Sequence, residues 1–165
     1  MAEAENKATI RRVFDEIVNQ GRYELIQTLY VPEMIDHDPV PGAPEGLPAV
    51  EYTLRSLRTG FPDLHVTLED LVAEGDKVAL RGTWRGTNSG SMMGMAPTNK
   101  RAEWRGHVIF GFTPEGKITE RWGLMDITSL LQQLGAIPPQ GTGPVGMVRF
   151  MGGRAVAGIR ARAGR

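Results

Sequence analysis

The residue pattern predicts an α+β fold, with N-terminal helices packed on a strongly curved antiparallel or mixed β-sheet that encloses a cavity. Three observations carry this. Apolar residues recur at helical spacing as far as residue 59, then at period two from residue 64 to 125. Gly82, Gly86, Gly106 and Gly111 interrupt the strand runs, where they permit strong bending. The same runs carry Arg81, Asn88, His107 and Arg121 among apolar neighbours. An unpaired buried polar group costs about 1–3 kcal/mol, so a covered face bearing such groups points to a pocket rather than a dry core.

Each element follows from local signals. Ile10, Val13, Phe14, Ile17 and Val18 fall on one stripe and predict a helix over 5–20, stopped by Gly21. Tyr23, Leu25, Ile26 and Leu29 predict a second helix over 22–30, with Pro32 just beyond it. Met34 to Asp38 is a short strand entering a loop in which Pro39, Pro41 and Pro44 forbid regular structure. Helix returns over 48–59 and ends at Gly60 and Pro62. Strands follow at 64–73, 77–87, 101–113 and 117–125. Gly75-Asp76 and Pro114-Glu115-Gly116 mark two of the turns, and a Gly/Met/Pro loop fills 88–100. A last helix spans 127–134, with Gly135 as its cap.

Composition bounds the function. The chain has 165 residues, 41% of them hydrophobic, enough for one domain over 1–138 without metal or disulfide staples. It has no cysteine, which excludes disulfides, thiolate nucleophiles and iron–sulfur clusters. The polar, acidic N-terminus and the lack of a long apolar run predict a soluble cytoplasmic protein with no membrane partner. The formal net charge of zero hides an asymmetry. Residues 136–165 hold Arg149, Arg154, Arg160, Arg162 and Arg165 and no acid, leaving the rest of the chain at −5. The basic Gly/Arg-rich extension over 139–165 has few aromatics, so a flexible or partner-packed tail is expected rather than a nucleic-acid arm.

Several segments together resemble a known family. These are I-D-H-D-P at 35–39, F-P-D-L at 61–64, A-E-G-D-K-V-A at 73–79 and G-T-N-S-G-S-M-M-G-M-A-P-T at 86–98, with G-K-I-T-E-R-W at 116–122 and D-I-T-S-L-L-Q-Q-L-G at 126–135. The chain from Lys7 to Pro138 resembles the SnoaL-like polyketide cyclases (ester cyclases) of the NTF2-like superfamily. The resemblance implies a cone of helices on a curved sheet. It also implies intramolecular aldol ring closure of a polyketide, as in antibiotic biosynthesis, by one carboxylate on the last strand with no metal or cofactor. Ungapped counting puts that carboxylate position on Gly123, a departure from the family pattern. Asp126 matches a second family aspartate, and Asn88 stands where many members carry histidine.

With Gly123 unable to act, other groups must supply the chemistry. His107 is the leading acid/base candidate, because imidazole titrates near neutrality and the family places a polar cavity residue there. A hydrogen-bonded histidine on an outer face is the alternative. Asp36 is a partner for His107, a base in its own right, or a turn aspartate ahead of Pro39. Arg121 offers a fork for a carboxylate, ester or enolate oxygen, or a surface ion pair. Asp126 orients the site or caps the helix at 127–134. Asn88, Trp84, Trp104, Trp122, Met92, Met95 and His37 complete the expected substrate contacts, the methionines as a lid over a flat apolar ligand.

The expected function is a cofactor-independent cyclase or isomerase, of lyase or isomerase type, acting on an apolar or aromatic carbonyl compound. Epoxide opening through Asp36, Arg121 and Asp126, or a role as a hydroxylase partner, are alternatives on the same fold. A non-catalytic ligand-binding module is the rival from another class. No metal site is expected from three scattered histidines. A homodimer or tetramer is expected, formed through a face made by Val78, Leu80, Trp84, Val108, Phe110, Phe112, Ile118, Trp122 and Leu124, with His107, Arg121 and Gly123 facing the helices.

Overall fold

Ile10, Val13, Phe14 and Ile17 lie on one stripe, and that stripe closes the molecule against its sheet. The computed structural model describes residues 2–92 and 94–152. Helix α1 (Ala2–Arg12) runs straight into a wider π-helical stretch, Val13–Asn19. Asn19 ends it by pairing its side-chain amide with the N–H and C=O of Val66, at 2.7 and 2.9 Å. Arg58 donates to the last carbonyls, Val18 and Asn19, at 2.6 and 2.7 Å. These bonds satisfy groups that a helix end leaves without partners.

The second predicted helix is shorter than its apolar spacing suggests. It consists of a 3₁₀ turn, Tyr23–Leu25, and α2 (Ile26–Leu29). Strand β1 (Tyr30–Asp36) starts four residues before the expected Met34, because parallel pairing with the last strand captures Tyr30 opposite Ile118. The register then shifts between Tyr30 and Ile35, where Pro32 has no N–H to give. Helix α3 (Leu47–Gly60) follows Gly46, whose φ of 69° only glycine adopts readily, and carries Pro48 in its first turn.

Strands β2 (His65–Glu74), β3 (Lys77–Thr87), β4 (Arg101–Phe112) and β5 (Ile118–Met125) match the period-two runs closely. The sheet order is β1-β5-β4-β3-β2, with β1 parallel to β5 and the other pairs antiparallel. Helix α4 (Ile127–Leu134) ends at Gly135 in the left-handed region and buries Leu130 and Leu134. A further helix spans 144–152. Helices α1 to α4 lie on one face of this mixed sheet, an α+β fold.

The face assignment differs from the sequence expectation. Val78, Leu80, Trp84, Val108, Phe110, Phe112 and Ile118 were expected on an oligomer face. They are instead the buried core under the helices. Phe14 meets Trp84 and Phe110 edge-on, at 6.1 and 6.5 Å. His107 is exposed on the opposite, outer face, in register with Arg81 and Leu124. Register explains the difference. Antiparallel partners share a face, and β4 pairs Phe110 with Arg121 and Val108 with Gly123. Even residues of β4 therefore share a face with odd residues of β5. Arg121 and Gly123 do face the helices, and Trp122 and Leu124 do face outward, while His107 parts from Arg121.

Candidate active site

Two charged side chains are drawn into the inner face. Arg121 on β5 and Asp36 on β1 are register partners across the parallel pair. Arg121 Nη1 donates to Asp36 Oδ1 at 2.7 Å and Oδ2 at 3.0 Å. The Asp36 side chain is 6% exposed and that of Arg121 19%. Taking two ions out of water is costly unless they pair well, which this geometry does.

Gly123 makes room for the pair. A Cβ at residue 123 would run into the Arg121 guanidinium. The position that the family pattern gives to a carboxylate is thus filled by a cation from two residues earlier. Among the described residues only Nη1 of Arg121 is engaged. Nη2 and Nε keep N–H donors without an acceptor among those residues, a half-used fork beside Gly123, whose own N–H donates to Asp38 Oδ2 at 2.9 Å.

Tyr30 belongs to the same environment. Its ring is buried, and burial pushes the phenol well above its ordinary value; the Arg121 charge pulls it down and that of Asp36 pushes it up. Open space lies beside Asp36. A cleft of about 730 Å³ is walled by Met34 and Asp36 of β1, by Pro39, Ala43 and Pro44 of the following loop, and by Ala49 of α3. A second cleft of about 600 Å³ lies nearby, between Tyr23, Ile26, Leu47 and Glu51.

The other expected site residues go elsewhere. His107 lies on the outer face, away from the pair. His37 also faces outward, as alternation from Asp36 requires. It stacks on Trp122 at 4.4 Å and meets Glu120 at 2.8 Å. Asp126 is a helix cap, accepting from the Ser129 N–H at 2.9 Å. Asn88 is buried with every polar atom engaged: it donates to Gly60 and Gly90 and accepts from the N–H and hydroxyl of Thr98. It is a loop staple with nothing left for a substrate. Trp84 and Trp104 are core, the latter against Phe61 at 5.0 Å.

The methionine loop is not over the cleft. Met92 lies against Gly60 at the C-terminal end of α3, and Met95 bonds back to Met92. The cleft is at the N-terminal end of the same 14-residue helix, about 20 Å away at 1.5 Å per residue. The sequence reading missed Tyr30 as a site neighbour, because the helical spacing of 22–30 hid its place on a strand. Among the described residues, no group of three or more His, Asp or Glu side chains is placed to hold a metal ion. None of their helices is long and apolar enough to cross a membrane.

Comparison with known proteins decides the family. The sequence profile described as SnoaL-like polyketide cyclase matches residues 8–134. The chain belongs to the SnoaL-like polyketide cyclase family. Solved structures agree with it. A candidate polyketide cyclase from Bacillus cereus ATCC 10987 is 30% identical with a TM-score of 0.70, over 81% of this chain and 82% of that one. TsrD from Streptomyces laurentii is 28% identical with a TM-score of 0.73, over 81% and 97%. AclR, a candidate hydroxylase from Streptomyces galilaeus, is 27% identical with a TM-score of 0.71, over 82% and 99%. No protein of curated function matches. This SnoaL-like chain therefore has the family fold and a cyclase-type relationship, with an Arg121–Asp36 pair where the family pattern leads one to look for a carboxylate at 123.

Proposed function

We propose that the protein is a cofactor-independent cyclase or isomerase that abstracts a proton α to a carbonyl in an apolar, polyketide-like substrate. The observation that carries this is the buried Asp36–Arg121 pair beside a cleft, with guanidinium donors left over next to Gly123. In this reading Asp36 takes the α-proton. The electron pair moves onto the carbonyl oxygen, where the spare N–H groups of Arg121 hold the enolate. The enolate carbon then attacks a second carbonyl of the same chain. The new C–C bond leaves an alkoxide, which regains the proton from Asp36. Met34, Pro39, Ala43 and Pro44 supply apolar contacts, beside the acids Glu33 and Glu45. His107 has no part in this chemistry, nor has Asp126. The protein works in the cytoplasm as a homo-oligomer.

One observation favours a second reading. Gly123 removes the family carboxylate and the narrow interior is filled by Phe14, Phe61, Trp84, Trp104 and Phe110, which suits a module that binds an apolar carbonyl ligand without turning it over. One experiment separates the two. Solvent-deuterium exchange at the α-carbon of 1-tetralone is followed by NMR with wild-type protein and Asp36→Asn. The enzyme reading predicts exchange above the buffer rate that falls about 10²–10⁴-fold in the variant, the usual size of a general-base effect. Wild-type exchange at the buffer rate, with binding intact, would leave the binder.

A further inference from the structure

Four of the ten large hydrophobic side chains left exposed among the described residues fall close together, at Val145, Met147, Val148 and Met151. They belong to the helix at 144–152, where Val145, Val148 and Met151 are 84%, 72% and 65% exposed. These three are spaced by three, so they share one side of the helix, and Arg149, four residues from Val145, borders it. So short a helix has little stability by itself, and an apolar side of this kind needs a cover. The chain around it is cationic. Residues 136–165 hold five arginines and no acid. Arg154, Arg160, Arg162 and Arg165 lie beyond the described residues and count here only as charge, with Val156 and Ile159 among them. Where α4 ends, Lys100 lies against Gly135, and Arg101 and Arg105 follow on β4 beside Glu103 and Asp126. The root of the segment is therefore not acidic either.

We propose that the C-terminal segment, from the helix at 144–152 onward, binds the surface of an anionic lipid bilayer. Two features select this partner together. Arginines with no acid among them suit a negatively charged headgroup layer, and the exposed valines and methionines suit the acyl boundary just beneath it. A nucleic acid would use the charge and leave the apolar side bare, and the segment has no aromatic ring beyond Phe150 for a base to stack on. The chain's own outer sheet face sets Arg81, Arg85 and Arg105 among Glu69 and Asp70, so it offers no acidic seat. Lying on a membrane takes a short apolar side with cations beside it, not a helix long enough to cross. Residues 1–135 carry 14 basic and 19 acidic residues, so the same surface repels the body and attachment runs through the tail. Attachment brings the cleft at Asp36 to a phase where apolar carbonyl compounds concentrate. That benefit rests on the ligand proposed above; the attachment does not, and its loss would leave 1-tetralone exchange to be judged separately.

Sedimentation of the full chain tests it, with vesicles of equimolar phosphatidylcholine and phosphatidylserine and with vesicles of phosphatidylcholine alone. Each basic residue near an anionic surface strengthens attachment about fivefold, so the wild type should bind the mixed vesicles at least about tenfold more tightly. Val148→Glu/Met151→Glu and Arg160→Glu/Arg162→Glu should both keep the wild-type circular dichroism and bind the mixed vesicles at least about tenfold more weakly. Wild type left in the supernatant would overturn the proposal, whether it then runs as a dimer or retains single-stranded DNA. Equal binding to the two kinds of vesicle would overturn it as well. So would a Val148→Glu/Met151→Glu variant that pellets as fully as wild type, since a segment held by charge alone has no use for its apolar side.

Discussion

Arg121 holds Asp36 through a single guanidinium nitrogen, 2.7 and 3.0 Å from the two carboxylate oxygens, and leaves its other nitrogens beside Gly123. That arrangement has an energetic signature. Asp36→Ala would strand a largely buried cation. It should lower unfolding stability by about 3 kcal/mol in urea, the low end for a broken buried pair because Arg121 keeps some solvent. Replacing both partners with leucine should recover much of that loss. A double variant no more stable than Asp36→Ala would contradict the pairing.

His107 offers a contrast. It is exposed on the outer face beside Arg81 and Leu124. His107→Ala should therefore leave 1-tetralone exchange within about twofold of wild type, whereas an acid/base residue would lose about 10²–10⁴-fold. A loss of that larger size would place the chemistry on the other side of the sheet.

Asn88 is predicted to matter for stability and not for binding. Its side chain joins Gly60, Gly90 and Thr98 inside the molecule. Asn88→Ala should cost about 1–3 kcal/mol by leaving buried partners unsatisfied. Thermal denaturation would report it, and an unchanged midpoint would refute the staple.

The sequence carried the architecture because period-two and helical stripes are strong, local signals. The four antiparallel strands, α3 and α4 all lie close to where their residues suggest. The faces were harder, since they depend on register. The pairing of Phe110 with Arg121 offsets the parity of β4 from that of β5, and no local pattern reveals such an offset. Hence Asp36 and Arg121, both singled out in the sequence, do meet on the inner face, while His107 stands on the outer one. Asn88 failed for another reason: a buried asparagine looks the same in sequence whether it meets a ligand or a loop.

Tyr30 gives a pH signature. Burial raises its phenol in the folded state above the ordinary value of 10.0. The folded protein then holds a proton that the unfolded chain gives up, so stability must fall as pH rises past about 10. Tyr30→Phe removes that dependence. The variant should match wild type within about 0.5 kcal/mol at pH 7, since the hydroxyl donates to no group among the described residues. It should then gain on wild type by about 1.4 kcal/mol per pH unit above pH 10. Parallel stability curves for the two proteins from pH 9 to 11 would rule this out.

The central claim is that ligand recognition runs through Asp36, which lines the cleft, and the free donors of its partner Arg121. The most direct measurement is the calorimetric dissociation constant for 1,8-dihydroxyanthraquinone, a flat apolar compound with carbonyl and phenol oxygens. It is taken for wild type, Arg121→Gln and His107→Gln. Loss of hydrogen bonds from a charged donor is worth about 1.5–3 kcal/mol, so Arg121→Gln should weaken binding by about 10–100-fold while His107→Gln changes it less than about twofold. Undiminished binding in Arg121→Gln, or a tenfold loss in His107→Gln, would contradict the account.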